Sequence, residues 1–241
     1  MKQRISPGEI FVIVAAYNEE RHIRDVVRRV RAQGFPNVVV VSDGSKDKTE
    51  AVALAAGATV LKHITNLGKG GALKTGADYA LREGAQALIF LDGDGQHEPE
   101  ELPKFRTALG TADIVFSARR RTGRMPFVLR FGNWFISTLI KRLYHLDLHD
   151  SQCGYRAMRA KAYPLVRWRS NDYSVESEMI AWASKAHLSY AEVPIRTIYH
   201  DKYKGTTPLD GFPIVWNLVM WRLQRRKTDK KRAFWRREEI R

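Results

Sequence analysis

Apolar and polar residues fall along this chain in blocks rather than singly. Ile10-Phe-Val-Ile-Val-Ala-Ala16 is an unbroken apolar run that stops at Tyr17-Asn18-Glu19-Glu20. A run of this length predicts a strand buried on both faces. Ile23, Val26, Val27 and Val30 then recur at helical spacing. A second apolar run at 38–41 stops at Ser42-Asp43-Gly44-Ser45, and the alanine-rich stretch 49–56 reads as a helix. Residues 57–61 give a short third strand. Asn66-Leu-Gly-Lys-Gly-Gly71 is a glycine-rich loop opening a helix over 72–83. The fourth strand, 88–91, ends abruptly in Asp92-Gly93-Asp94-Gly95.

The second half is patterned less regularly. Residues 114–118 form a fifth strand running into Arg119-Arg-Arg-Thr-Gly-Arg124. Over 127–146 the residues Arg130, Asn133, Ser137, Lys141 and His145 draw a single narrow polar stripe on a helix that is otherwise apolar. Such a helix fits either a core position or the plane of a membrane interface. Asp150 to Arg156 is a polar turn before a strand-like return. A helix over 179–186, a strand over 190–199 and an apolar helix over 208–223 follow, then a basic tail.

Strands alternating with helices predict an α/β fold, a Rossmann-like, mostly parallel sheet flanked by helices. Glu19, Asp43 and the pair Asp92/Asp94 each follow the C-terminal end of a strand. Parallel strands bring those ends to one edge, which is where open α/β sheets bind ligands. Alone, Asp-Gly-Asp-Gly is also ordinary turn chemistry. The convergence favours a nucleotide-binding edge, where Asp-x-Asp suits a hard divalent cation completed by substrate phosphates. Gly68-Lys69-Gly70-Gly71 reads equally as a phosphate cradle at a helix N-terminus or as a plain glycine turn. Its spacing is neither that of a Walker loop nor that of a dinucleotide fingerprint. Arg119 stands at the edge that carries the acids, where an arginine fork suits phosphate. Arg120 and Arg121 read as a solvated loop.

Composition narrows the setting. The 241 residues are 44% hydrophobic, enough for one domain with an appendage. We expect a catalytic domain over 1–206 and an amphipathic helix with a basic tail over 207–241. Lys and Arg number 41 against 26 Asp and Glu, a net charge of +15, which points to a polyanionic partner or an anionic membrane surface. A single cysteine, Cys153, excludes an internal disulfide. The N-terminal residues do not read as a signal peptide. No run approaches the ~20 apolar residues of a membrane-spanning helix. A soluble or peripheral protein is expected.

Five ordered motifs carry a resemblance. Ala15-Ala16-Tyr17-Asn18-Glu19-Glu20, Ser42-Asp43-Gly44-Ser45-x-Asp47-x-Thr49, Asn66-x-Gly68-Lys69-Gly70, Asp92-x-Asp94-Gly95-Gln96-His97 and Asp150-x-Gln152-Cys153-Gly154-Tyr155-Arg156 resemble those of family 2 glycosyltransferases. The likeness is greatest to the polyprenyl-phosphate branch typified by dolichol-phosphate mannose synthase, and it covers residues 8–205. It implies a GT-A fold, a nucleotide-diphosphate sugar donor such as GDP-mannose, Mg²⁺ or Mn²⁺, and a polyprenyl (dolichyl) phosphate acceptor. By position, it implies that Ala15, Tyr17 and Glu19 contact the nucleotide, with Val41 and Asp43 at the base and ribose. Lys69 joins the donor site. Asp92, Gly93, Asp94 and Gln96 form the metal and diphosphate site, and Arg119 and Arg130 receive the sugar phosphate and the acceptor phosphate. Asp94, Arg119 and Arg130 are the expected catalytic residues. Ser42 departs from the pattern, since many members carry a second Asp there. Several relatives also end in transmembrane helices, for which this chain has no equivalent run.

The resemblance further implies an inverting in-line displacement. A lipid phosphate oxygen is already anionic and needs no general base, whereas a sugar hydroxyl would need one, from Asp150, Glu176 or Glu178. The chain is then expected at the cytoplasmic face of a membrane, on anionic lipid, with or without a separate anchor protein. Three rival readings are a family member acting on a sugar hydroxyl, a nucleic-acid-binding protein drawn to phosphates by the positive charge, and a nucleotidyltransferase with the same sheet and Asp-x-Asp, which the later motifs disfavour. The acids at the strand ends oppose the second, so no nucleic-acid partner is expected.

Overall fold

The computed structural model describes residues 5–119, 127–196, 198 and 211–224, with the side chains of 127–131, 211 and 212 excepted. Seven strands form one sheet in the order β3-β2-β1-β4-β6-β5-β7. In chain order the elements are β1 (Ile10–Ala16), α1 (Ile23–Ala32), β2 (Asn37–Ser42), α2 (Thr49–Ala55), β3 (Thr59–Lys62), α3 (Lys69–Arg82) and β4 (Ala87–Asp92). They continue with α4 (Leu102–Ala108), β5 (Ile114–Arg119), α5 (Phe127–Tyr144), β6 (Arg156–Arg159), α6 (Tyr163–Val166), α7 (Val175–Lys185), β7 (Tyr190–Ile195) and α8 (Gly211–Leu223). The strand β6 runs antiparallel between β4 and β5, and the other pairings are parallel. The ends of β1, β2, β4 and β5 therefore share one edge with the loop that leads into β6.

Alternate residues of the central strands feed two cores. Val12, Val14, Val38, Val40, Ile89 and Leu91 face α1 and α4, where Ile23, Val26, Val27, Val30 and Phe105 are buried. Ile13, Val39, Val41, Leu88 and Phe90 face the other side, with α3, α5, α7 and α8. Each buried aliphatic of this kind contributes about 1.5–3 kcal/mol. Helix α3 approaches the sheet through Gly76, where a Cβ would stand 2.4 Å from Ile13 Cγ2. Only a glycine admits that approach.

Several boundaries differ from the sequence expectation. The strand expected at 57–61 begins at Thr59, because Gly57, at φ +91°, terminates α2 with its N–H donating to Leu54 O. Helix α3 starts at Lys69 rather than 72, so the glycines at 70 and 71 lie inside it. Glu176 and Glu178 belong to α7 rather than to a loop before it. On α5 the polar stripe divides: Ser137 is buried with its Oγ 3.1 Å from Ser151 Oγ, while Lys141 is exposed and pairs with Asp147. Ile136, Ile140 and Tyr144 enter the core, and Trp134 and Phe135 remain exposed. Tyr144 Oη donates to Leu218 O of α8, whose Trp216 and Leu223 are exposed. Arg120, Arg121, the basic tail and the expected division between 206 and 207 lie outside the described residues.

Candidate active site

The shared strand edge opens on a cleft of about 600 Å³, lined by Ala15, Tyr17, Glu19, Asp43, Lys69, Asp92, Gly93, Asp94, Gln96 and Arg119, among others. These are ten of the residues singled out in the sequence. Val41 is fully buried against α3 and does not line the cleft. Arg130 lies on α5, and its side chain is outside the described residues.

The first two strand ends are laced together. Asn18 N donates to Ser45 Oγ and Lys46 N to Asn18 Oδ1. Glu20 N donates to Asp47 Oδ2, Lys48 N to Glu20 Oε2, and Glu19 N to Thr49 Oγ1. Asn18, at φ +55°, supplies the left-handed turn that this crossing requires. Tyr17 is left 44% exposed at the cleft wall. Asp43 is buried and accepts from Leu67 N at 2.9 Å and Gly68 N at 2.8 Å, with His63 Nδ1 at 2.7 Å.

These bonds decide between the two readings of the glycine loop, and neither holds as stated. The amides of Leu67 and Gly68 are taken by Asp43, and Gly70 N donates to Asn171 O at 2.8 Å. A phosphate cradle would lack all three. The glycines instead permit contact with another backbone: a Cβ on Gly68 would lie 2.3 Å from Asn171 O, and one on Gly70 would lie 2.3 Å from Ser170 O. Trp168 Nε1 donates to Gly70 O at 2.7 Å. The loop is a seat on the 168–171 segment.

That seat delivers the Lys69 side chain into the cleft. Its Nζ lies 2.7 Å from Asp92 Oδ1 and 2.9 Å from Glu176 Oε1. Burial opposes the lysine's charge, but Asp92 and Glu176 together hold its pKa well above the ordinary value. Burial likewise opposes ionisation of Asp92, and Lys69 with His97 keeps its carboxyl below the usual range. Asp94 goes the other way: burial and the neighbouring Asp92 push it up, although Gln96 N donates to its Oδ1 at 2.9 Å. Gly93 fits because β1 passes close by, its N–H donating to Ala15 O at 3.0 Å.

Arg119 meets Asp150 through a two-pronged contact, Nε to Oδ2 at 2.6 Å and Nη2 to Oδ1 at 3.1 Å. Asp150 is buried, yet this guanidinium keeps it below the ordinary carboxylate range. Behind them the fully buried Arg156 donates to Ser151 O, Cys153 O and Glu176 O, tying the loop to α7. From the sequence, Tyr173 carries no expected site role, and Gln152 and Gly154 figure only within the fifth motif, yet all three line the cleft. A Cβ on Gly154 would stand 2.5 Å from Lys69 Nζ. The Cys-Gly-Tyr step in the fifth motif was the signal for it.

The candidate bases part company. Glu178 is buried away from the cleft and engaged by four donors, and Asp150 is held by Arg119. Glu176 lines the cleft, and its Oε2 is buried without a hydrogen-bond partner among the described residues.

Residues 11–165 match the glycosyl transferase family 2 domain. A UDP-N-acetylglucosamine–dolichyl-phosphate N-acetylglucosaminyltransferase of Methanococcus voltae is 30% identical, over 89% of this chain and 96% of its own length. An undecaprenyl-phosphate mannosyltransferase of Micrococcus luteus is 30% identical, over 90% of this chain and 95% of its own. In fold, the chain is similar to glucosyl-3-phosphoglycerate synthase of Mycobacterium tuberculosis in complex with Mn²⁺, UDP-glucose and phosphoglyceric acid. The TM-score is 0.71 at 20% identity, over 88% of this chain and 79% of that one.

Proposed function

The chain belongs to glycosyl transferase family 2, and on that premise we propose that it moves a sugar from a nucleotide-diphosphate donor to the phosphate of a polyprenyl lipid. The observation that carries this reading is the cleft itself. Asp92, Asp94 and Gln96 stand on one wall, and Arg119 reaches the same space from β5. The names of the relatives, which pair different sugars with lipid phosphates, support the acceptor and leave the donor open between GDP and UDP sugars.

The donor set suits a hard divalent cation, Mg²⁺ or Mn²⁺. It offers two carboxylates and an amide oxygen, and the crowding that raises Asp94 is the kind a cation relieves. Asp92, Asp94 and Gln96 would hold the ion, which when bound supplies Lewis-acid neutralisation of the diphosphate. Arg119, held by Asp150, presents preorganised positive charge where anions must meet. Ala15, Tyr17, Glu19 and Asp43 would receive the nucleotide, Lys69 would serve the donor side, and Arg130 would serve the acceptor phosphate. Because the acceptor oxygen is anionic, no proton need be removed. In the inverting displacement that the family resemblance implies, that oxygen bonds to the anomeric carbon as the bond to the nucleoside diphosphate breaks and the diphosphate leaves.

The protein is proposed to work peripherally at the cytoplasmic face of a membrane. Among the described residues no helix is long and apolar enough to cross one. Trp134 and Phe135 on α5 and Trp216 and Leu223 on α8 offer exposed apolar side chains suited to an interface. Transfer to a hydroxyl acceptor is the second reading, favoured by Glu176, which lines the cleft and whose buried Oε2 has no hydrogen-bond partner among the described residues.

The test incubates the protein with Mn²⁺, polyprenyl phosphate and a panel of radiolabelled GDP and UDP sugars. Label should enter the organic phase and be abolished by chelator and by Asp94→Ala. Donor turnover that yields only water-soluble glycosides would shift the acceptor to a hydroxyl. No turnover of any donor would defeat the reading.

A further inference from the structure

Glu176 and Glu178 are two residues apart on α7, about 200° apart around the helix, and they do unlike work. Glu176 faces the cleft, while Glu178 points into the molecule and is 1% exposed. Its Oε1 accepts Arg169 N at 2.9 Å and Trp182 Nε1 at 2.8 Å. Its Oε2 accepts Ser170 N at 2.8 Å and Ser170 Oγ at 2.6 Å. Among the described residues every donor to it is neutral. A buried carboxylate met only by neutral donors is costly to keep unless all of them are satisfied together. It therefore fixes residues 169 and 170 more firmly than a turn of its own would.

Those residues lead into the seat of the glycine loop. Ser170 O and Asn171 O are the atoms against which Gly68 and Gly70 are pressed, and Asn171 O accepts Gly70 N. Lys69 lies between the two glycines and has its Nζ on Asp92 and Glu176. A continuous chain of contacts thus runs from Glu178 through the 169–171 backbone to the lysine in the cleft.

We propose that Glu178 is a positioning residue: by holding the 169–171 segment it sets where the Lys69 ammonium stands beside Asp92. It touches no substrate and acts through the backbone that Lys69 is seated on. An amide in its place keeps the shape but turns an N–H₂ group toward donors, so the segment must shift and the lysine with it.

Lysine footprinting tests this directly. In the native protein Lys69, with 16% of its side chain exposed and doubly ion-paired, should resist acetylation by an N-hydroxysuccinimide ester. Lys62 and Lys161, exposed by 62% and 68%, should react freely and serve as controls. In Glu178→Gln, Lys69 should become reactive at a rate approaching that of Lys62, with the controls unchanged and the core still native by near-ultraviolet circular dichroism. Ser170→Ala, which removes one donor and leaves the carboxylate, should move Lys69 in the same direction by less, and it decides the matter if Glu178→Gln does not fold. Continued protection of Lys69 would overturn the proposal, and so would exposure accompanied by loss of the native core signal. The activity arm rests on the glycosyltransferase reading: kcat/KM for the donor should fall roughly 10- to 100-fold in Glu178→Gln, as ångström-scale misplacement produces. In a Lys69→Ala background the same substitution should add little. The footprint requires no substrate, so a protein that transfers no sugar would defeat the proposed function and leave this inference to be judged on its own.

Discussion

The Lys69 ammonium lies 2.7 Å from one oxygen of Asp92 and 2.9 Å from the other, joining the first turn of α3 to the end of β4. Glu176 completes the contact from α7. Replacing this lysine by methionine would strand the buried Glu176 and the partly exposed Asp92. A loss of about 3 kcal/mol, the low end for removing one partner of a buried pair, is expected, measured by urea unfolding at neutral pH. The pairing also sets a pH window. Asp92 and Asp150 have lowered pKa values, so their contribution is complete above the ordinary value of 3.8 and is lost as pH falls below it. The Lys69 pKa is raised, so its contribution is complete below 10.5 and is lost as pH climbs beyond that. The contribution of these three groups to the unfolding midpoint should be constant between these limits and fall outside them. In Lys69→Met the alkaline decline should weaken.

Asp94 has the opposite character. Its pKa is raised, so its ionised form costs stability at neutral pH. Asp94→Asn should therefore raise the melting temperature while lowering transfer by about 100-fold or more, the scale of losing one preorganised electrostatic contact. A variant less stable than the parent would show that burial and repulsion at Asp94 have been misjudged.

The glycines at 70 and 154 should fail in different ways. At Gly70 an alanine Cβ meets the Ser170 carbonyl, a backbone atom, and relief requires two chain segments to part. A destabilisation of about 1–3 kcal/mol is expected for such overpacking. At Gly154 the Cβ meets Lys69 Nζ at 2.5 Å, with Asp92 Oδ2 at 3.0 Å and Glu176 Oε1 at 3.3 Å, so the clash is relieved only by loosening the lysine's ion pairs. Gly154→Ala should lose activity together with part of the stability that the Lys69 pairing supplies. Calorimetry and donor kinetics on the two variants separate the cases.

Exposed aromatics on α5 and α8 make the membrane reading measurable. Trp134→Ser with Trp216→Ser removes side chains that are 57% and 67% exposed, so stability should change by less than about 0.5 kcal/mol. Co-sedimentation with vesicles containing phosphatidylglycerol should fall. Unchanged binding would remove these residues from the interface.

Much of this was legible in the residues. Each buried parallel strand announced itself as a continuous apolar run, and the acids that followed marked the edge on which the cleft opens before any strand order was known. The order itself was not readable. Nothing in the sequence places Arg156–Arg159 antiparallel between β4 and β5, because that depends on pairing across distant segments. Helix α7 hid its start because residues 175–183 are buried all round, leaving no polar face to mark a period. The glycine loop stayed open between two readings for a related reason: phosphate binding and close backbone contact both call for glycine, and only the amide partners tell them apart. Val41 drew attention because the resemblance places it at the base and ribose, one residue before the second motif, while its side chain serves the core.

The place of β6 in the sheet has a consequence for the order of folding. The strands β3, β2, β1 and β4 can pair as soon as residue 92 is made, each beside a neighbour already present. Strand β5 has no such neighbour: its partner on the β4 side is β6, which begins at Arg156, and on the other side β7, which begins at Tyr190. Closing those long loops is slow compared with the early pairings. Pulse-labelled hydrogen exchange during refolding should protect the amides of β1, β2 and β4 first and those of β5 and β7 together afterwards. Simultaneous protection would mean that the sheet closes as a single unit. If the late phase is separate, Arg119 and the loop that holds Asp150 are the last to join a strand edge whose carboxylates are already in place.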